Sequence, residues 1–366
     1  MLSAGEVSGD VHGAYLVREL KKLNPDIYFF GMGSERLSAE GVDIKYDITS
    51  RGSIGLLEAF PNAFPIYLTY KKMIGLMRKE RPNLLILIDS QGFNLPLAKE
   101  ARKLGIRTVY YIAPQDWLWG TPAGVKKVAA TAGLIVAIFE KEYDSYKKAG
   151  ANVIYFGHPL IDIVKTDVAK KQRSAPLVAI CPGSRPQEIK GLLSILVKAS
   201  VLIKKSLPDV EFIFPAASSK IANSLKDLGI NIFTGKTYDI LSSSDLAICT
   251  SGTINLEASI LGIPNIMVYK ISAVTYLIGK YVLKILDKLP YFSMPNILLG
   301  EKIIPELIMR DASPEIIAKT ALSILGARSK QEEMKNSFAR LREKLGAPGV
   351  ISKIAGSILQ FASARD

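Results

Sequence analysis

The chain of 366 residues is long enough for two α/β domains, and its 48% hydrophobic and 22% charged residues describe a packed globular protein rather than a disordered one. Its 47 basic against 34 acidic side chains leave a net charge of +13, which favours a polyanionic partner: nucleic acid, an anionic membrane surface or a phosphorylated substrate. Lys270, Lys280 and Lys284 interrupt the best candidate for a membrane span, and residues 1–6 lack the basic-then-apolar order of a signal peptide, so a cytoplasmic location is expected. Cys181 and Cys249 each end an apolar run, where simple packing is the ordinary reading and a disulfide framework is not.

A first short apolar run, residues 2–4, enters the turn Gly5-Glu6-Val7-Ser8-Gly9-Asp10. Only two or three residues precede Gly5, where a core strand usually has five or six, as expected of a chain that begins a little late. Strand-like runs follow at 28–30, 84–88, 108–112, 134–138 and 153–156, alternating with helical patterns such as 95–104, the signature of a parallel sheet covered on both faces. A polar, Lys-rich stretch at 163–176 reads as a linker. A second series then runs through 177–181, 211–214, 230–233, 246–249 and 265–268. The expected fold class is therefore α/β with two doubly wound Rossmann-like domains, 1–162 and 177–330, and a helical tail at 331–366 that packs back on the first domain or on a partner subunit. Two stretches mix lysines with large apolar residues and lack acids. Residues 61–79 carry Lys71, Lys72, Arg78 and Lys79, and residues 258–286 carry three lysines. Such surfaces suit anionic lipid better than nucleic acid, although a buried helix whose lysines snorkel to water has the same composition.

The chemistry-bearing residues cluster after strand-like runs, where open α/β sheets bind ligands. Asp89 directly follows residues 84–88 and is the leading general-base candidate, with Glu6 and Asp10 at the equivalent edge of the first run; a strand-ending Asp also serves as an ordinary helix cap. Gly183, Ser184 and Arg185 form a glycine turn with a guanidinium suited to a diphosphate, unless Arg185 merely pairs with Glu188. Ser251, Gly252 and Thr253 stand where an apolar run meets a helical pattern, a helix start fit to receive phosphate, and Glu257 in the second turn suits a ribose diol. For that segment read alone, an ordinary N-cap with a solvated Glu is the plainer reading. His12 and His158 are the only histidines, no cluster has metal-ligand spacing, and His158 is read as binding or positioning rather than titrating. No metal and no cofactor are expected.

Taken together, S-A-G-E-V-S-G-D (3–10), I-D-S-Q-G-F-N (88–94), A-P-Q-D-W-L-W (113–119), F-G-H-P-L-I-D (156–162), P-G-S-R-P-Q-E-I (182–189), T-S-G-T-I-N-L-E (250–257) and S-M-P-N-I-L-L-G (293–300) resemble the lipid-A-disaccharide synthase family over almost the whole chain. The resemblance implies a GT-B glycosyltransferase, its two domains facing a central cleft. That enzyme joins UDP-2,3-diacylglucosamine to 2,3-diacylglucosamine 1-phosphate in a β-1,6 linkage and releases UDP, on the inner face of the inner membrane. It implies Asp89 as the base, with Ser8, His158, Gly183, Ser184, Arg185, Ser251, Gly252, Thr253, Glu257 and Asn296 around the UDP-sugar, and a homodimer exchanging C-terminal segments. Where the family usually reads Asp-x-Pro-Asp-Phe-Asn this chain has Asp89-Ser90-Gln91-Gly92-Phe93-Asn94, so the second carboxylate is replaced by Gly92. A UDP-N-acetylglucosamine 2-epimerase shares the expected fold and cradle but needs no lipid-facing surface, and a non-catalytic binder would not require Asp89.

Overall fold

The structure, a computed structural model, describes residues 1–49, 56–118, 120–166, 173–183, 186–216, 232–234, 237–270 and 290–364. The chain forms two compact units, Met1–Ile163 with Leu345–Asp366, and Val164–Lys344.

In the first unit, strands β1 (Leu2–Ala4), β2 (Phe30–Met32), β3 (Asp43–Tyr46), β4 (Leu84–Ile88), β5 (Arg107–Tyr111), β6 (Leu134–Ala137) and β7 (Val153–Tyr155) form a parallel sheet ordered β3-β2-β1-β4-β5-β6-β7. Helices α1 (Val7–Leu23), α2 (Glu35–Ala39), α3 (Leu56–Glu80), α4 (Gln91–Lys103), α5 (Pro122–Ala129), α6 (Glu140–Lys148) and α7 (Leu160–Ile163) connect them. A sheet covered on both faces needs strands that are apolar throughout, and Leu85, Ile86, Leu87 and Ile88 of β4 are accordingly all buried. The strand order reverses between β1 and β4, the switch point at which such sheets receive ligands.

Two strands differ from their sequence expectation for local reasons. The run at 28–30 enters the sheet only at Phe30, and the next residue, Gly31, pairs with β1 so closely that a Cβ there would stand 2.1 Å from the Leu2 carbonyl oxygen. Tyr28 remains 65% exposed. Strand β5 stops at Tyr111 because Ile112 turns into the left-handed region (φ 58°).

The second unit repeats the plan. Strands β8 (Leu177–Cys181), β9 (Glu211–Ala216), β10 (Ile232–Thr234), β11 (Leu246–Thr250), β12 (Asn265–Tyr269) and β13 (Glu306–Ile308) form a parallel sheet ordered β10-β9-β8-β11-β12-β13, with the reversal between β8 and β11. Its described helices include α8 (Pro186–Ser206), α9 (Thr237–Ser243), α10 (Thr253–Ile260), α11 (Met294–Leu299), α12 (Pro314–Leu325) and α13 (Arg328–Leu345). Cys181 and Cys249 are buried free thiols opposite each other on β8 and β11.

The helical tail does not stay together as one block. Gly346 (φ 108°) and Gly349 (φ 94°) break it after α13, which apart from its last residue belongs to the second unit. Helix α14 (Val350–Ser363) returns to the first unit and packs on α1, burying Val350, Ile351, Ile354, Ala355 and Ile358. Asp162 pins its start: its carboxylate accepts from the Gly349 and Ile351 backbone N–H groups, both at 2.7 Å. Arg107 holds the far end, donating to the Phe361 carbonyl at 2.8 Å and lying over the Phe361 ring. Replacing Asp162 with Ala should therefore cost about 1–2 kcal/mol in urea unfolding and raise amide exchange in α14 well before β4 or β5 exchanges.

Candidate functional site

The close packing of α1 on β4 brings the two motif-bearing turns of the first unit together. A Cβ on Gly5 would meet the Ser90 Oγ at 2.8 Å, one on Gly9 would touch Ile88, and one on Gly13 would press on the Ile88 Cδ1 at 2.9 Å. Glu6 and Ser8, both half-buried, thus stand at the edge where β4 delivers Asp89. Asp89 and Ser90 adopt successive left-handed conformations (φ 51° and 48°), a turn that costs on the order of 1 kcal/mol per residue and must be held by its surroundings. The half-buried Asp89 stands on this turn at the strand end. Beside it, the Gln91 side chain donates to Asp116 at 3.1 Å, and burial raises the Asp116 pKa against that hydrogen bond. Asp116, in the A-P-Q-D-W-L-W segment, was not singled out from the sequence; its spacing marks no catalytic pattern, and only the fold brings it to Gln91.

Two expected site residues of this unit do other work. Asp10 is 2% exposed and accepts from the backbone N–H groups of Ser34 (2.6 Å), Arg36 (2.9 Å) and Leu37 (3.4 Å), so it caps α2 rather than acting as a base. His158 is also 2% exposed, its Nδ1 accepts from the Leu160 N–H at 3.1 Å, and its own backbone N–H donates to the Leu345 carbonyl. Its ring packs against Phe139 and His12, and burial, then the neighbouring His12, hold its pKa well below the usual imidazole range. It therefore stays neutral inside the first unit instead of lining a nucleotide site.

The second unit carries the two glycine turns from which anion binding is expected. Strand β11 ends at Thr250, Ser251 is half-buried, and the exposed Gly252 (φ 145°) is the N-cap of α10, with no capping side chain among the described residues and nothing within 4 Å of where its Cβ would be. The helix therefore opens its first-turn N–H groups and positive dipole end beside an unobstructed glycine and the exposed Thr253. Gly183 (φ 120°) makes the matching turn after β8; Ser184 and Arg185 lie outside the described residues. Glu257 stands one turn into α10, its pKa raised by burial and restrained by hydrogen bonds from the Thr253 and Tyr238 hydroxyls. Asn296 departs from its expected role: it is fully buried, accepts from the Ile303 and Ile304 N–H groups and donates to the Ile304 carbonyl and Glu306. Every hydrogen-bonding position of its amide is used in bracing the segment before β13, leaving none for a nucleotide.

Helix α3 sorts its basic-apolar stretch by face. Met73, Ile74 and Met77 are buried, whereas Phe64 (69%), Tyr67 (52%) and Leu68 (42%) are exposed together with Lys71, Lys72, Arg78 and Lys79. Lys71 lies over the Tyr67 ring. Of the second stretch, residues 271–289 lie outside the described residues. No group of metal-binding side chains occurs among the described residues.

A family model described as lipid-A-disaccharide synthetase matches residues 1–354. The lipid-A-disaccharide synthase of Geobacter metallireducens is 35% identical, covering 99% of this chain and 96% of that protein. The chain belongs to the lipid-A-disaccharide synthase family. Among solved structures, the putative UDP-N-acetylglucosamine 2-epimerase of Listeria monocytogenes matches with a TM-score of 0.67 at 12% identity, covering 100% of this chain and 96% of that one. The spinosyn rhamnosyltransferase SpnG matches with a TM-score of 0.60 at 12% identity, covering 98% of each chain. Likeness at that identity speaks for the fold alone, and the fold is GT-B.

The first unit also holds a buried acid whose titration is measurable. Glu142 is fully buried behind Phe139, with Oε2 accepting from the Ile138 and Phe139 N–H groups and Oε1 without a partner, and burial raises its pKa from 4.5 to about 8. A raised carboxyl pKa gives stability that is full below pH 4.5 and lost as pH climbs to about 8. His12, lowered from 6.5 to about 4 by burial, acts in the opposite sense, its contribution growing as pH rises through that interval. From pH 6.5 to 8 only the Glu142 effect of these two remains. Wild-type stability should there fall relative to Glu142→Gln by up to about 1.4 kcal/mol per pH unit, measured by urea unfolding across the range.

Proposed function

We propose that Asp89 is the general base with which this chain performs the reaction of its family, transfer of the 2,3-diacylglucosamine unit from UDP to the 6-hydroxyl of 2,3-diacylglucosamine 1-phosphate. Asp89 takes the hydroxyl proton as that oxygen attacks the anomeric carbon from the face opposite UDP. The bond to the diphosphate breaks, and the inverted, β-linked disaccharide 1-phosphate results. Charge developing on the departing UDP meets the open start of α10 with Ser251, Gly252 and Thr253, aided by Gly183, Ser184 and Arg185, while Glu257 holds the ribose. Glu6 stands beside the acceptor, and Ser8 faces the UDP-sugar. The observation that carries this reading is the placement of Asp89 on a left-handed turn at the switch point of the first sheet, in a chain of this family.

A positioned base contributes about 10²–10⁴ in rate, so Asp89→Asn should lower single-turnover disaccharide formation by at least 10²-fold while UDP affinity, measured by calorimetry, stays within about twofold. Loss of UDP binding together with the rate would make Asp89 structural. Retention of both would place the base elsewhere, with Glu6 next.

The same reading makes α3 a membrane contact. Its exposed Phe64, Tyr67 and Leu68 enter the interface of an anionic bilayer while Lys71, Lys72, Arg78 and Lys79 meet the headgroups, placing the enzyme peripherally on the inner face of the inner membrane, where both acylated substrates are reached. The homodimer implied by the resemblance would re-use the α14 contacts between two copies. Replacing the four basic residues together with Gln should release most of the protein from anionic vesicles in a sedimentation assay, each charge contributing on the order of 1 kcal/mol, and 1 M salt should do the same to the wild type. Unchanged sedimentation of the variant would remove α3 from the contact.

A further inference from the structure

We infer that Asn94 and Tyr110 are positioning residues for the reaction, acting through the main chain of Asp89. This rests on the reading of Asp89 as the base. Asp89 and Ser90 sit in successive left-handed conformations that L-residues do not hold unaided. What holds them is visible at the Asp89 carbonyl oxygen, which accepts from the Tyr110 hydroxyl at 2.9 Å and from the Asn94 amide at 2.8 Å. The same Asn94 amide faces the carbonyls of Ile88 at 3.1 Å and Ser3 at 3.2 Å, and its Oδ1 accepts from the Ser3 hydroxyl at 2.6 Å.

One fully buried side chain on α4 thereby ties together β1, the end of β4 and the turn from β4 into α4, across 91 residues of sequence. Tyr110 is likewise fully buried, on the neighbouring strand β5, and burial, then the charge of Asp89, keeps its hydroxyl protonated and so a permanent donor. With two donors on one carbonyl, the Asp89 peptide has a fixed orientation, and the carboxylate is carried by that peptide. Buried networks of this kind specify a conformation because every unmet donor or acceptor in them is costly. A merely structural role would brace the core but leave the rate untouched once the protein is folded. A positioning role moves the rate without moving ground-state binding, since a misplacement of about 1 Å is enough to cost up to about 10²-fold.

The experiment is a double-mutant cycle of Tyr110→Phe with Asp89→Asn, using purified full-length protein, single-turnover disaccharide formation and UDP calorimetry. Tyr110→Phe keeps the ring in the core and removes only the hydroxyl. It should lower the rate about 10-fold, with KM for both acylated sugars and the UDP affinity within about twofold. Added to Asp89→Asn, it should cause no further loss, because its effect passes through that carboxylate. Near-normal turnover in Tyr110→Phe, or losses that multiply in the double variant, would overturn the inference while leaving Asp89 as the base. Full activity in Asp89→Asn alone would remove both readings. If Tyr110→Phe fails to fold, Asn94→Asp, which preserves shape but withdraws the amide donors, enters the same cycle with the same criteria.

Discussion

The approach of α1 to the end of β4 determines what the first unit can present to a substrate. Gly5, Gly9 and Gly13 lie along the face of α1 and its preceding turn that meets Ile88 and Ser90, and at Gly5 and Gly13 a Cβ would stand 2.8 and 2.9 Å from those side chains. A larger residue at Gly5 or Gly13 would press on Ser90 or Ile88, the two residues that flank Asp89. The approach of α1 to β4 is thus set by the absent side chains of Gly5 and Gly13 rather than by any charged group.

The two units solve the same problem at their switch points with related parts. In each, the strand just past the reversal ends in a turn whose carbonyl is captured by a buried asparagine on the following helix, five residues on. Asn94 takes the Asp89 carbonyl, and Asn255 takes that of Thr250 at 2.6 Å. What differs is what the turn displays. In the first unit it projects a carboxylate, suited to receiving a proton; in the second it exposes a glycine and the start of a helix, suited to receiving an anion. A group-transfer enzyme needs both functions on separate supports, because a carboxylate beside the departing diphosphate would repel the charge that must develop there.

The legible part of the sequence was its strands and turn motifs. Leu84–Ile88 and Leu177–Cys181 are found where the apolar runs placed them, since strands buried on both faces carry an unbroken signal. The half-exposed β3 and the short β13 carried no such signal and were not anticipated. The errors in the site have one cause. Asp10, His158 and Asn296 have the residue types and motif neighbours of functional groups, but each is buried and its side chain is engaged within its own unit, mostly by backbone groups. The Asp10 partners lie 24 to 27 residues away on another element. Asn94 and Tyr110 were missed for the complementary reason. A buried amide and a strand tyrosine look like core, and their value lies in a carbonyl belonging to another residue. The shared spacing of D-S-Q-G-F-N and T-S-G-T-I-N was the available clue.

Gly92 shows how the scaffold bears a departure from the family pattern. It lies in the first turn of α4, exposed, with nothing within 4 Å of where a Cβ would be, so packing does not demand glycine there. Glycine in a helix costs about 1 kcal/mol relative to alanine, and the missing carboxylate also forgoes a favourable charge at the helix start. Neither loss removes the hydrogen bonds by which Asn94 and Tyr110 hold the Asp89 carbonyl. The adjacent Gln91 reaches Asp116, so a carboxylate remains at this edge, contributed by the loop after β5 instead of by α4. A position that supports neither the core nor the base turn can vary without dismantling either, and the network anchored on Asn94 is what makes that separation possible.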